Sequence, residues 1–175
     1  GAAAATLEKH APGLAGVNCY DDMQALLDDE RVEAVYLPMS NHEHAEWALK
    51  AIARGKHVLI EKPLALTVAD VDAITTAASQ QGVKVMEGFM YAFHPQYARV
   101  QELLRSGVIG DIKFARASYS FIMKPARLYR LEKDVDHGGG AMWDIGPYAI
   151  HSLRSCFGSE PKSVIAQATY TESGA

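Results

Sequence analysis

Two cysteines, Cys19 and Cys156, are all that 175 residues contain. They make no disulfide framework and no CxxC metal motif, so a reduced, cytoplasmic protein is the default expectation. No apolar run approaches the roughly 18 residues that a membrane helix needs. Positive charge is not in excess: 17 Lys and Arg stand against 21 Asp and Glu, for a net charge of -4. That excludes a basic field for nucleic acid or an anionic bilayer. The sequence has no HExxH. His42 and His44 flank Glu43, but residues that close do not share a helix face, so no metal site is expected. There is no initiator Met, and Gly1 to Ala5 lack the basic flank of a secretory signal. With 49% apolar and 22% charged residues, the chain has ordinary globular composition.

The first half alternates strand and helix patterns. The opening reads as the middle of a helix through Leu7, ending before Pro12–Gly13. Val17–Tyr20 is a strand candidate, and Asp22 caps a helix with Met23, Leu26 and Leu27. Ala34–Leu37 is an apolar run of strand length. Ala45, Ala48, Leu49 and Ile52 then recur at helical spacing, stopped by Gly55. Val58–Ile60 is the next strand. Thr67 and Asp70 have capping-box-like spacing ahead of Val71, Ile74 and Ala78, and Gly82 precedes the strand Val83–Met86. This rhythm predicts a Rossmann-like parallel sheet, with helices on both faces.

The pattern changes after His94–Pro95. A helix with Tyr97, Val100 and Leu104 ends at Gly107. A β-rich segment runs from Asp111 to Met123, and a polar, Arg-containing loop leads to Gly138-Gly139-Gly140. A helix carries Ile145, Ala149, Leu153 and Cys156, and Val164 to Tyr170 alternates like a strand. An α+β region with an open mixed or antiparallel sheet is expected. The predicted division is residues 1–93 and 94–175.

In an open α/β sheet, ligands bind beyond the carboxyl ends of the strands. Pro38 to His44 follows the first such end and opens a helix. Its free N–H groups can face an anion, and Asn41 can cap the helix or bond a ribose. Glu61-Lys62-Pro63 ends the next strand. There an ammonium can polarise a carbonyl or lower the pKa of a hydroxyl, or the pair is a solvated strand end. Pro63 can hold a cis bond. The triple glycine allows close backbone approach but is not GxGxxG, so it is not a phosphate loop. Asp144 and Tyr148 are about one helical turn apart, and His151 extends that face. Pro147 suits a first turn or a kink. Asp144 can orient the Lys62 ammonium, which would favour the Tyr148 phenolate; the alternative is a helix cap and a packed aromatic.

Three segments are recognisable in order: Gly55-Lys56-His57-Val58-Leu59-Ile60-Glu61-Lys62-Pro63, Glu87-Gly88-Phe89-Met90-Tyr91, and Gly138 through Trp143-Asp144-Ile145-Gly146-Pro147-Tyr148. With Val35-Tyr36-Leu37-Pro38 through Asn41 and His44, the chain resembles the Gfo/Idh/MocA family of NAD(P)-dependent oxidoreductases, including its dihydrodiol and aldose dehydrogenase branch. The resemblance implies hydride transfer on a sugar, polyol or diol, with NADP favoured over NAD. It implies Lys62, Asp144 and Tyr148 as the catalytic group. Pro38, Asn41, His44, Glu61, Lys62 and Pro63 would lie beside the cofactor, and Arg130, Tyr91 and His151 near substrate. Ala92 stands where that branch often has Arg. The family's GxGxxG is absent and is expected before Gly1, with further strands expected after Ala175.

A non-catalytic sugar- or cofactor-binding regulatory member of the same fold is the second reading. A third reading, a structural homo-oligomeric subunit whose open sheet pairs with a partner, expected as a dimer, is compatible with the enzyme reading. Neither nucleic acid nor a membrane is an expected partner.

Overall fold

The computed structural model describes residues 2–10, 13, 17–172 and 174. Gly1, Pro12 and Ala175, where expectations about the chain's ends fell, lie outside them. Helix α1 spans Ala2–His10 and α2 spans Met23–Asp28. The Asp22 side chain caps α2 by accepting from the Gln24 backbone N–H. Val17–Tyr20 forms no strand. Its Tyr20 hydroxyl instead donates to the Asp29 carboxylate.

Strands β1 (Ala34–Leu37), β2 (His57–Ile60) and β3 (Val85–Glu87) make a parallel sheet in the order β1-β2-β3. Ala34 pairs with His57, and Ile60 with Glu87. Helix α3 (His44–Ala53) crosses from β1 to β2, and α4 (Val68–Gln81) from β2 to β3. Thr67 caps α4 through the Asp70 N–H, and Gly82 ends it at φ 67°. Only a residue free of a Cβ takes that left-handed turn at no cost.

Among the described residues the expectation of helices on both faces is corrected. Two successive crossovers of one hand, moving the same way along the sheet, put α3 and α4 on one face. The two helices pack on each other there. Val35, Leu37, Val58 and Ile60 point into that layer and are buried, whereas Tyr36 and Met86 point out and are exposed. The core centres on Leu27, Ile52, Ile60 and Ile74, all essentially inaccessible. Each such side chain contributes about 1.5–3 kcal/mol of burial. Ile60 immediately precedes Glu61-Lys62, so the best-buried strand aims its end at the cleft.

A 3₁₀ turn, Met90–Phe93, leads into α5 (Pro95–Arg105), capped by the His94 side chain. Three short pieces follow: a 3₁₀ turn at Pro125–Arg127, helix α6 at Tyr129–Glu132, and a 3₁₀ turn at Val135–His137. The last helix is broken. Helix α7 (Ala141–Asp144) and α8 (Gly146–Phe157) meet at Ile145, whose φ of -125° departs from helix. Pro147 sits in the first turn of α8, where its missing N–H costs nothing. The Tyr97 hydroxyl donates to Ser155 Oγ at 2.9 Å, tying α5 to α8.

Neither Asp111–Met123 nor Val164–Tyr170 is a strand, so the expected open mixed sheet is not formed among the described residues. Alternating sequence supplies a face, but a strand exists only when a neighbour completes its ladder, and these two segments do not pair. Phe114, Ile122, Val164 and Ile165 stand exposed as a result. The α/β class rests on the parallel sheet. Among the described residues no helix is long and apolar enough to cross a membrane.

Candidate functional site

A cleft of about 690 Å³ opens beyond the ends of β1 and β2. Its floor includes Pro38, Asn41, Glu61 and Lys62 from the strand ends, and Asp144 and Tyr148 close it from α7 and α8. The Lys62–Pro63 bond is cis, as the proline permits.

Lys62 Nζ donates to the Asp144 backbone carbonyl at 2.5 Å and lies 3.5 Å from its Oδ1. Both residues are about nine-tenths buried. Arg130 Nη1 reaches the same Oδ1 at 3.0 Å. Asp144 is therefore a junction between two cations rather than a plain helix cap. An ammonium has three donors, and two of Lys62's are spent on Asp144, leaving one N–H uncommitted. Lys62 Nζ also lies 5.6 Å from the Tyr148 ring centroid, within cation–π reach.

Burial pushes the Lys62 pKa below the ordinary lysine value, and the Asp144 carboxylate opposes that shift. Burial raises the Tyr148 phenol above its usual value, helped by the Glu61 charge. Desolvation penalises the anion, so burial opposes the bias towards a Tyr148 phenolate that the sequence suggested. Its ring is fixed by Phe89, Tyr91 and Tyr119, at centroid distances of 5.6, 6.0 and 5.5 Å.

Other expected residues are placed differently. His44 is fully buried behind the wall, not on it. Its Nδ1 faces Pro63 O at 2.7 Å and its Nε2 faces Met39 O at 3.1 Å, so one ring bridges the loops after β1 and β2. The reason is local: His44 opens α3 on its inner face. Pro63 is also off the cleft surface. Tyr91 and His151 hydrogen-bond each other behind Tyr148, His151 stacking on Phe89 at 4.9 Å. They back the tyrosine rather than line the cleft. Asn41 lines it, with Nδ2 donating to Gly138 O at 2.9 Å.

That bond brings the glycine run against the β1 loop. A Cβ at Gly139 would lie 1.8 Å from Lys133 O, so backbone fills the space a side chain would need. Close approach is what the triple glycine serves.

Sequence reasoning passed over Tyr36, whose hydroxyl donates to Glu61 Oε1 at 2.5 Å. The alternation of β1, which turns Tyr36 outward beside the strand end, was the available signal. It also passed over Tyr119, Phe121 and Met123, which line the cleft together. Their spacing of two marks a common side even without a strand. Arg127 and Lys133 also line it, and no periodicity marks them.

Relatives share this architecture. The sequence pattern of the oxidoreductase family with an NAD-binding Rossmann fold, Gfo/Idh/MocA, matches residues 3–89, and that family's C-terminal domain matches 97–174. A dTDP-3,4-didehydro-2,6-dideoxy-alpha-D-glucose 3-reductase of Actinomadura kijaniata is 40% identical over 136 residues, 78% of this chain and 40% of that protein. D-xylose 1-dehydrogenase (NADP(+)) 2 of Haloferax volcanii is 38% identical over 152 residues, 87% of this chain and 46% of the relative. A crystal structure of an Actinomadura kijaniata 3-ketoreductase with NADP and TDP-benzene superposes with a TM-score of 0.75 at 36% identity, covering 87% of this chain and 45% of the other. The chain thus spans less than half the length of these relatives. Two family patterns in order across nearly all of the sequence, on a parallel sheet of the matching kind, place this chain in the Gfo/Idh/MocA oxidoreductase family.

Proposed function

We propose that the protein is an NAD(P)-dependent oxidoreductase acting on a CH–OH group or its carbonyl in a sugar, polyol or diol, with Lys62, Asp144 and Tyr148 as its working group. The observation that carries this reading is that the Lys62 ammonium is bound to Asp144 and lies against Tyr148 in one cleft beyond the strand ends. The relatives named above, an NADP-dependent xylose dehydrogenase and a ketoreductase crystallised with NADP, support it. The division near residue 93 belongs to the same proposal.

The donor set suits a nicotinamide. Pro38, Met39 and Ile145 offer apolar surface, and Asn41, Glu61 and Lys62 offer polar groups, within the one cleft. These residues would hold the ring, with His44 and Pro63 bracing them from behind. When bound, the reduced nicotinamide supplies hydride to a carbonyl carbon, and the oxidised form accepts it from an alcohol. In the reducing direction Tyr148 gives its phenolic proton to the carbonyl oxygen as that oxygen gains charge. Lys62 donates its remaining N–H to the same oxygen and stabilises the developing anion. Asp144 touches no reacting atom; it positions the ammonium and keeps it charged. In the oxidising direction the proton returns to the tyrosine oxygen.

The test is the full protein carrying Lys62→Met. NADPH oxidation against a panel of aldoses and ketosugars is expected to fall by about 100-fold or more, while fluorescence titration shows cofactor affinity unchanged. Turnover near the unsubstituted level would refute the assignment. Binding of cofactor and sugar without turnover in the unsubstituted protein would favour the regulatory reading.

A further inference from the structure

The ladder bonds of the central strand end just before Lys62. The Glu61 N–H donates to Leu37 O at 3.1 Å, and the Ile60 carbonyl accepts from the Gly88 N–H at 2.6 Å. Pro63 has no N–H to continue the pattern. The next peptide group joins Pro63 to Leu64, and side chains take hold of both its ends. Its carbonyl oxygen faces His44 Nδ1 at 2.7 Å, and its N–H donates to Glu87 Oε1 at 2.8 Å. His44 opens α3 directly after the β1 loop, and Glu87 closes β3, so the two partners come from opposite sides of β2. Gly88 lets the end of β3 come this close: a Cβ there would stand 3.2 Å from Ile60 O and 3.4 Å from Glu61 Cα. Glu87 is half-buried and does not line the cleft. Among the described residues no cation lies within ion-pair distance of it. A carboxylate drawn out of water is costly unless it is hydrogen-bonded, and the Leu64 N–H is the one hydrogen-bond partner its side chain has among those residues.

We propose that Glu87 is a positioning residue for the reaction: with His44 it clamps the Pro63–Leu64 peptide, and the clamp sets where the Lys62 ammonium stands. The proposal rests on the oxidoreductase reading and adds to it a residue outside the cleft. Glu87 touches no reacting atom and acts through Lys62. A lysine side chain is long and rotamer-rich, so holding its tip alone leaves its root free to shift. Here the tip is held by Asp144, and the backbone that carries the root is held one peptide further on. Releasing the root changes the approach of the ammonium to a reacting oxygen, and a misplacement of about 1 Å in such a group costs about 100-fold in rate.

Two readouts on the full protein test this. In steady-state NADPH oxidation with the aldose and ketosugar panel, Glu87→Leu is expected to lower kcat by about 10- to 100-fold with KM and cofactor affinity unchanged. Glu87→Gln keeps an oxygen for the Leu64 N–H and should restore turnover, which separates the hydrogen bond from the charge. Glu87→Asp is one methylene too short to reach and should follow the leucine variant, and it replaces that variant if leucine prevents folding. The second readout needs no turnover. In NMR of protein made with isotope-labelled lysine, the Lys62 ammonium signal, assigned by its loss in Lys62→Met, should move or broaden in Glu87→Leu and hold its place in Glu87→Gln. A Lys62 signal unmoved in Glu87→Leu would overturn the proposal. So would an unchanged kcat in that variant, or a Glu87→Gln protein as impaired as Glu87→Leu. A signal that moves in a protein with no NADPH turnover at all would sink the oxidoreductase reading while supporting the clamp on Lys62, so the two fail separately.

Discussion

The Lys62 ammonium and the Asp144 carboxylate, 82 positions apart in sequence, meet inside one buried contact, and the ammonium also takes the Asp144 backbone carbonyl at 2.5 Å. The double attachment fixes the lysine on the break between α7 and α8 rather than on a mobile helix face. The same break directs Tyr148 into the cleft from the first turn of α8.

Replacing Tyr148 by Phe is expected to keep the fold, since all three neighbouring ring contacts are made by the aromatic face. Only the hydroxyl is lost. Turnover should drop by about 10²- to 10⁴-fold with cofactor affinity unchanged. Steady-state kinetics showing a loss of less than about tenfold would remove Tyr148 as proton donor.

The pH profile follows from opposed shifts. Lys62 sits below the ordinary lysine value because it is buried, and Tyr148 sits above the ordinary tyrosine value for the same reason. Reduction needs both protonated. The rate should therefore hold through neutral pH and fall on an alkaline limb to which Lys62, lowered by burial, contributes. Asp144→Asn removes the group that holds the lysine pKa up, so that limb should move to lower pH. A limb that stays put or moves to higher pH would contradict the arrangement. The sign for stability agrees. A lysine depressed in the folded state binds fewer protons there, so its contribution improves as pH rises from the folded value to the ordinary one.

His44→Phe removes the ring nitrogens that face the buried carbonyl of Pro63 and the partly buried carbonyl of Met39. The one hydrogen bond that a neutral ring donates is lost, so urea unfolding should show a loss of about 1–3 kcal/mol. Catalytic efficiency should fall with it, because Pro63 follows Lys62 directly. Stability within about 0.5 kcal/mol of the unsubstituted protein would mean that the bridge carries no load.

The helices and the parallel sheet were legible because their signals are local. Thr67 caps its own helix, Gly82 ends it, and Ile60 sits at the end of a short apolar run. The face of the sheet was misread, because continuous apolar strands describe a layer without saying how many helices cover it. The second region was legible in pattern and not in pairing. Tyr119, Phe121 and Met123 share a side as their spacing says, but no neighbour turns that segment into a strand.

By itself the sequence determined the βαβαβ order, the caps and stops, the cis-compatible Pro63 and the three side chains proposed as the working group. These follow from spacing and from motifs carried by consecutive residues. Only the tertiary structure decided that Asp144 holds two cations, that His44 is a brace behind the wall, that burial raises the Tyr148 phenol above its usual value, and that Arg127 and Lys133 line the cleft. Each of these depends on desolvation and on neighbours distant along the chain, and such quantities exist only once the segments have packed.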